Sequence, residues 1–156
     1  VRVGIAMYGL SPLGRDEALK PVMSIKSKLV LVKELPKGHS IGYGATEVTK
    51  SDTKIGIVGM GYADGIPRNA NSKAGVLVGN KIAPIIGRVS MDQFVVDLGP
   101  ESKLKPGDWV YLFGEPTNSL GTSDGYTADM WGAACGTINY EIVTRIGPRV
   151  PRIYLN

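Results

Sequence analysis

Two tyrosines set among glycines carry the chemistry that this sequence offers. They are Gly42-Tyr43-Gly44 and Gly61-Tyr62-Ala63-Asp64-Gly65, and both lie in the stretch Ile41 to Arg68. Glycine beside a large polar aromatic lets the backbone bend sharply and lets another body approach closely. A phenol can donate or accept a proton, but it titrates near 10 unless its surroundings shift it. Used as an acid or base it needs a rigid mount and a favourable environment. A single Tyr-Gly pair is ordinary strand-to-turn punctuation. The weight of the signal lies in the two occurring together, each at the end of a strand-like run. Tyr43 follows the Pro36-Lys37-Gly38 turn, and Tyr62 follows Ile55-Gly56-Ile57-Val58-Gly59-Met60, which reads as a buried strand. Between them Thr46 to Lys54 reads as a polar loop.

The elements that must position these groups are mostly strands. Arg2 to Leu10 reads as a strand leading into the Ser11-Pro12 turn, and Arg15 to Leu19 as a short helix in a polar connector. Ser24 to Leu35 reads as a strand with Ile25, Ser27, Leu29 and Leu31 on one face and the solvated Lys26 and Lys28 on the other. Asn69 to Lys73 is a polar loop. Val76-Leu77-Val78, the turn Gly79-Asn80-Lys81 and Ile82 to Ile86 then form a hairpin, in which Pro84 signals an edge or a bulge. Phe94 to Asp97 and Asp108 to Phe113 are further strands. Glu115 to Tyr126 is a Gly/Ser/Thr/Asn-rich loop. Thr127 is placed to cap a helix over Ala128 to Cys135, with Asp129 in its first turn and Gly136 as its stop. Ile138, Ile142 and Ile146 repeat at helical spacing and predict a second short helix, after which Arg149 to Tyr154 is extended. Short, regularly spaced strands with glycine turns predict a mainly β fold, a barrel or sandwich carrying two small helices.

Composition bounds the function. The 156 residues are 43% hydrophobic and 21% charged, which suits one globular domain and excludes a disordered chain. The formal charge of +4 is spread without a basic block, so no nucleic-acid footprint is compelled. A barrel that reads single strands needs aromatics interleaved along a basic groove, and aromatics are only 7% here. Cys135 is the sole cysteine and reads as core; it excludes an internal disulfide and fits a reducing, cytoplasmic setting. No run approaches the roughly 18 apolar residues of a membrane span. No His/Cys/acid cluster has metal-ligand spacing, and His39, the only histidine, reads as the start of a strand. The sequence opens at Val1 inside a strand-like run without an initiator Met, so a longer polypeptide is expected.

Taken in order, Arg2-Val3-Gly4-Ile5, Tyr43-Gly44-Ala45, Gly61-Tyr62-Ala63-Asp64-Gly65, Gly87-Arg88-Val89-Ser90-Met91-Asp92, Ile138-Asn139-Tyr140-Glu141 and the closing Arg149-Val150-Pro151-Arg152 resemble the alanine racemase family over the whole chain. The resemblance implies that residues 1–23 are the last strand of an N-terminal (β/α)8 barrel with its connector, and that 24–156 are the C-terminal β domain. It implies pyridoxal phosphate as cofactor, held by a Schiff-base lysine in the barrel outside these residues. Without that lysine these 156 residues alone would not racemise. It also implies a homodimer and inversion at the α-carbon of a small amino acid, with one base on each face of the carbon.

Carried over residue by residue, Tyr43 matches the tyrosine base lent across the dimer, and Tyr62 the second tyrosine of the β domain. Met91 matches a residue whose main-chain N–H meets the substrate carboxylate; Asp92 is its acidic neighbour, and Ser90 stands where some members carry Cys. Arg2 matches the arginine facing the pyridine nitrogen, while Gly4, Ile5 and Tyr140 match phosphate contacts. Arg68, Arg88 and Ile138 resemble residues of the substrate entrance, where cations draw in carboxylates. Two substrates stay open: alanine, or serine as in racemases of the vancomycin-resistance type, which carry a membrane tether outside this region. From a different class, the residues alone would make a non-catalytic β-barrel binding or dimerisation module.

Overall fold

The computed structural model describes residues 1–13, 18–70, 72–114 and 125–155. Six strands close a barrel in the order β1-β4-β7-β6-β5-β8, all pairs antiparallel: β1 Ile25–Leu35, β4 Thr53–Val58, β5 Gly75–Val78, β6 Lys81–Ile86, β7 Phe94–Asp97 and β8 Trp109–Phe113. A two-stranded ribbon, β2 Ser40–Ile41 with β3 Glu47–Val48, lies in the connection between β1 and β4. Two helices follow the barrel, α1 Ala128–Cys135 and α2 Asn139–Thr144. The barrel interior is filled by alternate residues of each strand: Leu29, Val58, Val76, Val78, Ala83, Ile85, Phe94, Val96, Val110 and Leu112 are all buried. Gly56 also faces inward, and a Cβ there would lie 2.7 Å from Leu29 Cδ2. The same cluster runs on into Trp131, Cys135, Ile142, Val143 and Ile146 of the helical end. Trp131 is fully buried, and its indole N–H donates to the Leu112 carbonyl at 2.6 Å. Burial raises the Cys135 thiol above its ordinary value, so it stays protonated and inert at neutral pH.

Two strands change partners part-way, which is how a short-stranded sheet closes. β1 pairs with β8 over Ile25–Lys28 and with β4 from Leu29 to Leu35, with a register shift between Leu29 and Leu31. That irregularity corrects the expectation for Leu31. One extra residue flips the alternation, so Leu31 is exposed and Val32 turns inward. Lys26 and Lys28 lie exposed on the outer face as expected, and their ammonium groups also sit 4.3 and 4.8 Å from the Trp109 ring centroid. β6 pairs with β5 as far as Pro84 and with β7 from Ile85 onward. Pro84 is therefore neither on an edge nor in a bulge. It marks a corner where no ladder asks for its missing N–H, since the bonded residue is its neighbour Ile85, donating to the Ala74 carbonyl.

The strand expected over Arg2 to Leu10 is instead a 3-10 turn, Gly4–Tyr8, bounded by Gly4 and Gly9 at φ 65° and 69°. Alternation alone does not hold a strand; it needs a neighbour to pair with, and no described strand pairs here. Gly9 is required by its surroundings, because a Cβ would fall 1.7 Å from the Lys20 carbonyl oxygen. The helix expected over Arg15 to Leu19 and most of the loop from Glu115 lie outside the described residues. The hairpin turn is shorter than expected, only Gly79 and Asn80 separating β5 from β6. The loop expected over Thr46 to Lys54 contains β3 and the start of β4. Helix α1 forms as its sequence predicts: Thr127 Oγ1 accepts from the Met130 N–H at 3.1 Å, and Gly136 closes the helix in the left-handed region. Thr127→Ala is expected to lower stability by about 1 kcal/mol, read as a shifted urea midpoint at unchanged slope.

Candidate active-site rim

The segment that carries Tyr43 is a strap over the outside of the barrel. Its base is closed by Thr49, whose hydroxyl donates to the Pro36 carbonyl at 2.6 Å and accepts from the His39 N–H at 2.9 Å, and by Asp52, which accepts from the Lys37 N–H. From there the ribbon folds back along the outer face of β4, β7 and β6. Ile41 is buried with Leu35 and Ile55, against Ile57, Ile86 and Val95. These are the outward residues of strands whose inward residues fill the barrel, so β4 is apolar on both faces because both are covered. The strap thus starts where β1 ends and delivers its tip to the end where β6 finishes.

That tip is the 3-10 turn Tyr43–Ala45, with Gly42 and Gly44 at φ 70° and 77°. Both glycines are pressed against the segment after β6. A Cβ on Gly42 would lie 3.2 Å from the Arg88 backbone nitrogen, and one on Gly44 3.5 Å from the Arg88 guanidinium. The Glu47 carboxylate accepts the Gly87 N–H. The Tyr43 side chain is 73% exposed.

Tyr62 arrives from β4 and docks on the other end of the same segment. Its N–H donates to the Ser90 carbonyl at 3.0 Å, and the Ala63 N–H donates to the Met91 carbonyl at 3.0 Å. Gly61 is packed so tightly there that a Cβ would be 2.3 Å from the Met91 carbonyl oxygen. Asp64, almost buried, accepts the Gly61 N–H at 2.8 Å and closes the turn. Residues 87–92 are therefore the common floor of both tyrosine turns. The Met91 carbonyl is committed to that packing, whereas its N–H has no partner among the described residues.

Arg149 lies behind this floor and was assigned no role by the sequence beyond the closing motif. Its guanidinium meets Asp92 at 2.6 Å and Asp64 at 3.3 Å, so it ties the Met91-Asp92 turn to the Tyr62 turn. The hydrogen bond to Asp92, and then the charge of Asp64, hold it above its ordinary value. Asp92, 57 residues from Arg149 in sequence, is thereby countered rather than left to repel an incoming carboxylate. Arg152 steadies the same tail by donating to the Ile146, Gly147 and Val150 carbonyls. The sequence signal was there, an arginine-rich close, but nothing local says which acids it meets.

A second group forms at the start of α2. Ile138 is its exposed N-cap, and the Tyr140 hydroxyl sits 3.8 Å from where a Gly4 Cβ would be. Asn139, buried between them, donates to the Ser11 carbonyl and to Asp129, which fixes the start of α2 against the N-terminal connector. Ile5 turns its side chain into the core, leaving only its backbone to contact a ligand. Arg2 is exposed. The far end of α2, about 9 Å away by helical rise, reaches the Tyr62 turn, where Gly147 N–H donates to the Asp64 carbonyl. Arg68 opens a separate 3-10 turn, Arg68–Ala70, and no hydrogen bond or ion pair among the described residues joins it to Arg88 or to the 87–92 floor. The described residues hold no metal-ligand cluster and no helix long and apolar enough to cross a membrane.

Comparison with known proteins decides the relationship. A family model described as "Alanine racemase, C-terminal domain" matches residues 22–154. The chain belongs to the alanine racemase C-terminal domain family. An alanine racemase of Streptomyces coelicolor is 50% identical over 161 residues, spanning all of this chain and 40% of that protein. The solved alanine racemase of Streptomyces lavendulae is 46% identical with a TM-score of 0.87, over 98% of this chain and 40% of that one. That of Bartonella henselae, described with covalently bound pyridoxal phosphate, is 31% identical with a TM-score of 0.85, over 97% and 40%. The chain thus spans about 40% of the length of the relatives it matches. The mainly β barrel with two helices is the architecture that this C-terminal domain family shares.

Proposed function

We propose that this chain is the C-terminal part of a pyridoxal-phosphate-dependent racemase that interconverts L- and D-alanine, and that its Tyr43 acts on a substrate held by the other subunit of a dimer. Residues 1–23 then connect a preceding barrel to the β domain at 24–156. The observation that carries this reading is the rim. Two exposed phenols, Tyr43 and Tyr62, stand on one backbone floor, with the Arg88 guanidinium against the turn of the first and a main-chain N–H at Met91 that has no partner among the described residues. Such groups facing away from their own barrel are placed to finish a pocket that lies elsewhere. The residues around Gly4 suit the phosphate of the cofactor. A residue without a side chain under a phenol hydroxyl leaves room for oxygens and supplies donors to them.

Pyridoxal phosphate, when bound, draws off the electron pair left at the α-carbon once its proton has gone. This chain does the rest from its side. The Met91 N–H orients the substrate carboxylate without demanding anything of its own side chain. Tyr62 flanks it, and Arg88 and Arg68 draw anions toward the entrance past Ile138. The Tyr43 hydroxyl takes or returns the proton on one face of the carbon, and the Arg88 guanidinium lies against the turn that carries it. Arg2 offers a permanent cation toward the ring nitrogen.

The cross-subunit assignment is tested by mixing two inactive full-length variants, Tyr43→Phe and one lacking the cofactor-bearing lysine of the barrel. Refolded together, they should return about a quarter of wild-type racemisation, because half the dimers are mixed and each holds one intact site. No recovery would place Tyr43 in its own subunit's site and sink the proposal.

A further inference from the structure

We infer that Glu47 is the latch that sets where Tyr43 stands, a positioning residue for the proposed reaction. The inference rests on the reading of Tyr43 as an acid–base group. Among the described residues, the bond from the Gly87 N–H to the Glu47 carboxylate is the only hydrogen bond joining the outer half of the strap, residues 40–48, to the barrel. Everything else holding that half is the ribbon's own pairing, Ser40 with Val48 and Ile41 with Glu47, and the apolar seat of Ile41. An apolar seat is non-directional and fixes depth, while a charged acceptor on one N–H fixes register and angle.

The local packing leaves that bond no alternative site. Gly87 is at φ 71°, and a Cβ on it would come within 3.0 Å of Ile41 Cγ2 and 3.1 Å of the Ile41 carbonyl. The Ile41–Glu47 rung therefore lies flat on the Gly87 backbone. Only two residues beyond Ile41, the chain enters the Tyr43 turn, whose two glycines give it little stiffness of its own. Arg88, the residue after the latched one, presents the guanidinium that lies against Gly44. One contact at Gly87 thus sets both the Tyr43 turn and the cation that lies against that turn. A misplacement of about 1 Å in a reacting group can cost roughly 100-fold in rate.

The test uses the full-length holoenzyme and compares Glu47→Gln, which keeps an oxygen acceptor of the same reach, with Glu47→Leu and Glu47→Ala, which do not. The latch requires three results together. Glu47→Leu or Glu47→Ala, whichever folds, should lower kcat about 10- to 100-fold, with KM for alanine within about threefold. Amide hydrogen exchange should quicken at 40–48 and not in the barrel strands. Glu47→Gln should return kcat to within about threefold of wild type. Wild-type kcat in all variants overturns the latch. So does an equal loss in Gln and Leu, or a loss of kcat with unchanged exchange at 40–48. Tyr43→Phe, measured alongside, separates the two ideas. Full racemisation by that variant removes the acid–base reading and leaves the exchange at 40–48 to decide whether Glu47 holds the strap. A large loss with Tyr43→Phe beside wild-type kcat in Glu47→Leu sinks the latch alone.

Discussion

Tyr43→Phe is expected to lower racemisation about 100- to 10,000-fold, the usual worth of a placed acid–base group. The ring keeps its shape and only the hydroxyl is lost. Because Tyr43 is exposed and its side chain makes no bond among the described residues, folding stability should move by less than about 0.5 kcal/mol. The two enantiomers have equal free energy, so kcat/KM must fall alike in both directions. The asymmetry appears in exchange instead. In deuterated water the variant should still replace the α-proton of the one enantiomer whose proton faces the other base, and return it without inversion. Proton NMR of each pure enantiomer reads this directly. Near-wild-type racemisation would remove Tyr43 from the reaction. Loss of exchange from both enantiomers would mean that the substitution damaged binding rather than one proton path.

Gly61→Ala should hurt both stability and substrate binding. The added methyl would sit 2.3 Å from the Met91 carbonyl oxygen and 2.4 Å from that of Ser90, both backbone atoms that cannot swing aside. To relieve the overlap the Tyr62 turn must lift off the floor, stretching the two 3.0 Å bonds from Tyr62 and Ala63 and the 2.8 Å bond from Gly61 to Asp64. Overpacking of this kind costs roughly 1–3 kcal/mol, and the three bonds, lengthened rather than lost, together about 1 kcal/mol more. A loss of about 2–4 kcal/mol in urea unfolding is expected, and, on the proposed role of the Met91 N–H, a raised KM, because displacing the Ser90 carbonyl moves the Met91 N–H of the same peptide plane. A loss below about 0.5 kcal/mol would show that the two turns are not locked together as described. Gly99 is the control. No atom of the described residues lies within 4 Å of a Cβ there, so Ala should cost only the left-handed backbone term of about 1 kcal/mol and leave KM alone.

Local patterns were enough to find the strands between Ile55 and Phe113 and the Thr127 cap, because each is set by alternation or by one side chain meeting its own backbone. The tyrosine turns were visible for the same reason, since glycines at 42, 44, 61 and 65 advertise a backbone that bends and packs closely. What could not be read is whatever depends on a distant partner. The apolar outward faces of Ile55 and Ile57 signalled burial, but not that a ribbon fifteen or so residues upstream would cover them. The phase change at Leu31 arises from serving β8 and β4 in turn, which no stretch of β1 reveals by itself. Arg149 faces acids that precede it by tens of residues, and Glu47 bonds a backbone N–H 40 residues on. The strand expected over Arg2 to Leu10 failed from the opposite cause, a correct pattern with no neighbour to pair it.

The partner changes in β1 and β6 split the cylinder into two curved halves. One half, β8 and β5 with the first part of each corner strand, carries the helical end through Trp131 on Leu112 and Tyr126 on the Lys73 carbonyl. The other half, β4 and β7, wears the strap on its outer surface. Bracing and delivery are thus separate tasks on separate walls. Sequence drift that retunes the reach or tilt of the Tyr43 hydroxyl can accumulate on the second wall while the first keeps the scaffold standing. Variants selected for altered turnover should therefore gather at 36–52 and on the outer faces of β4 and β7, and spare the Trp131 side.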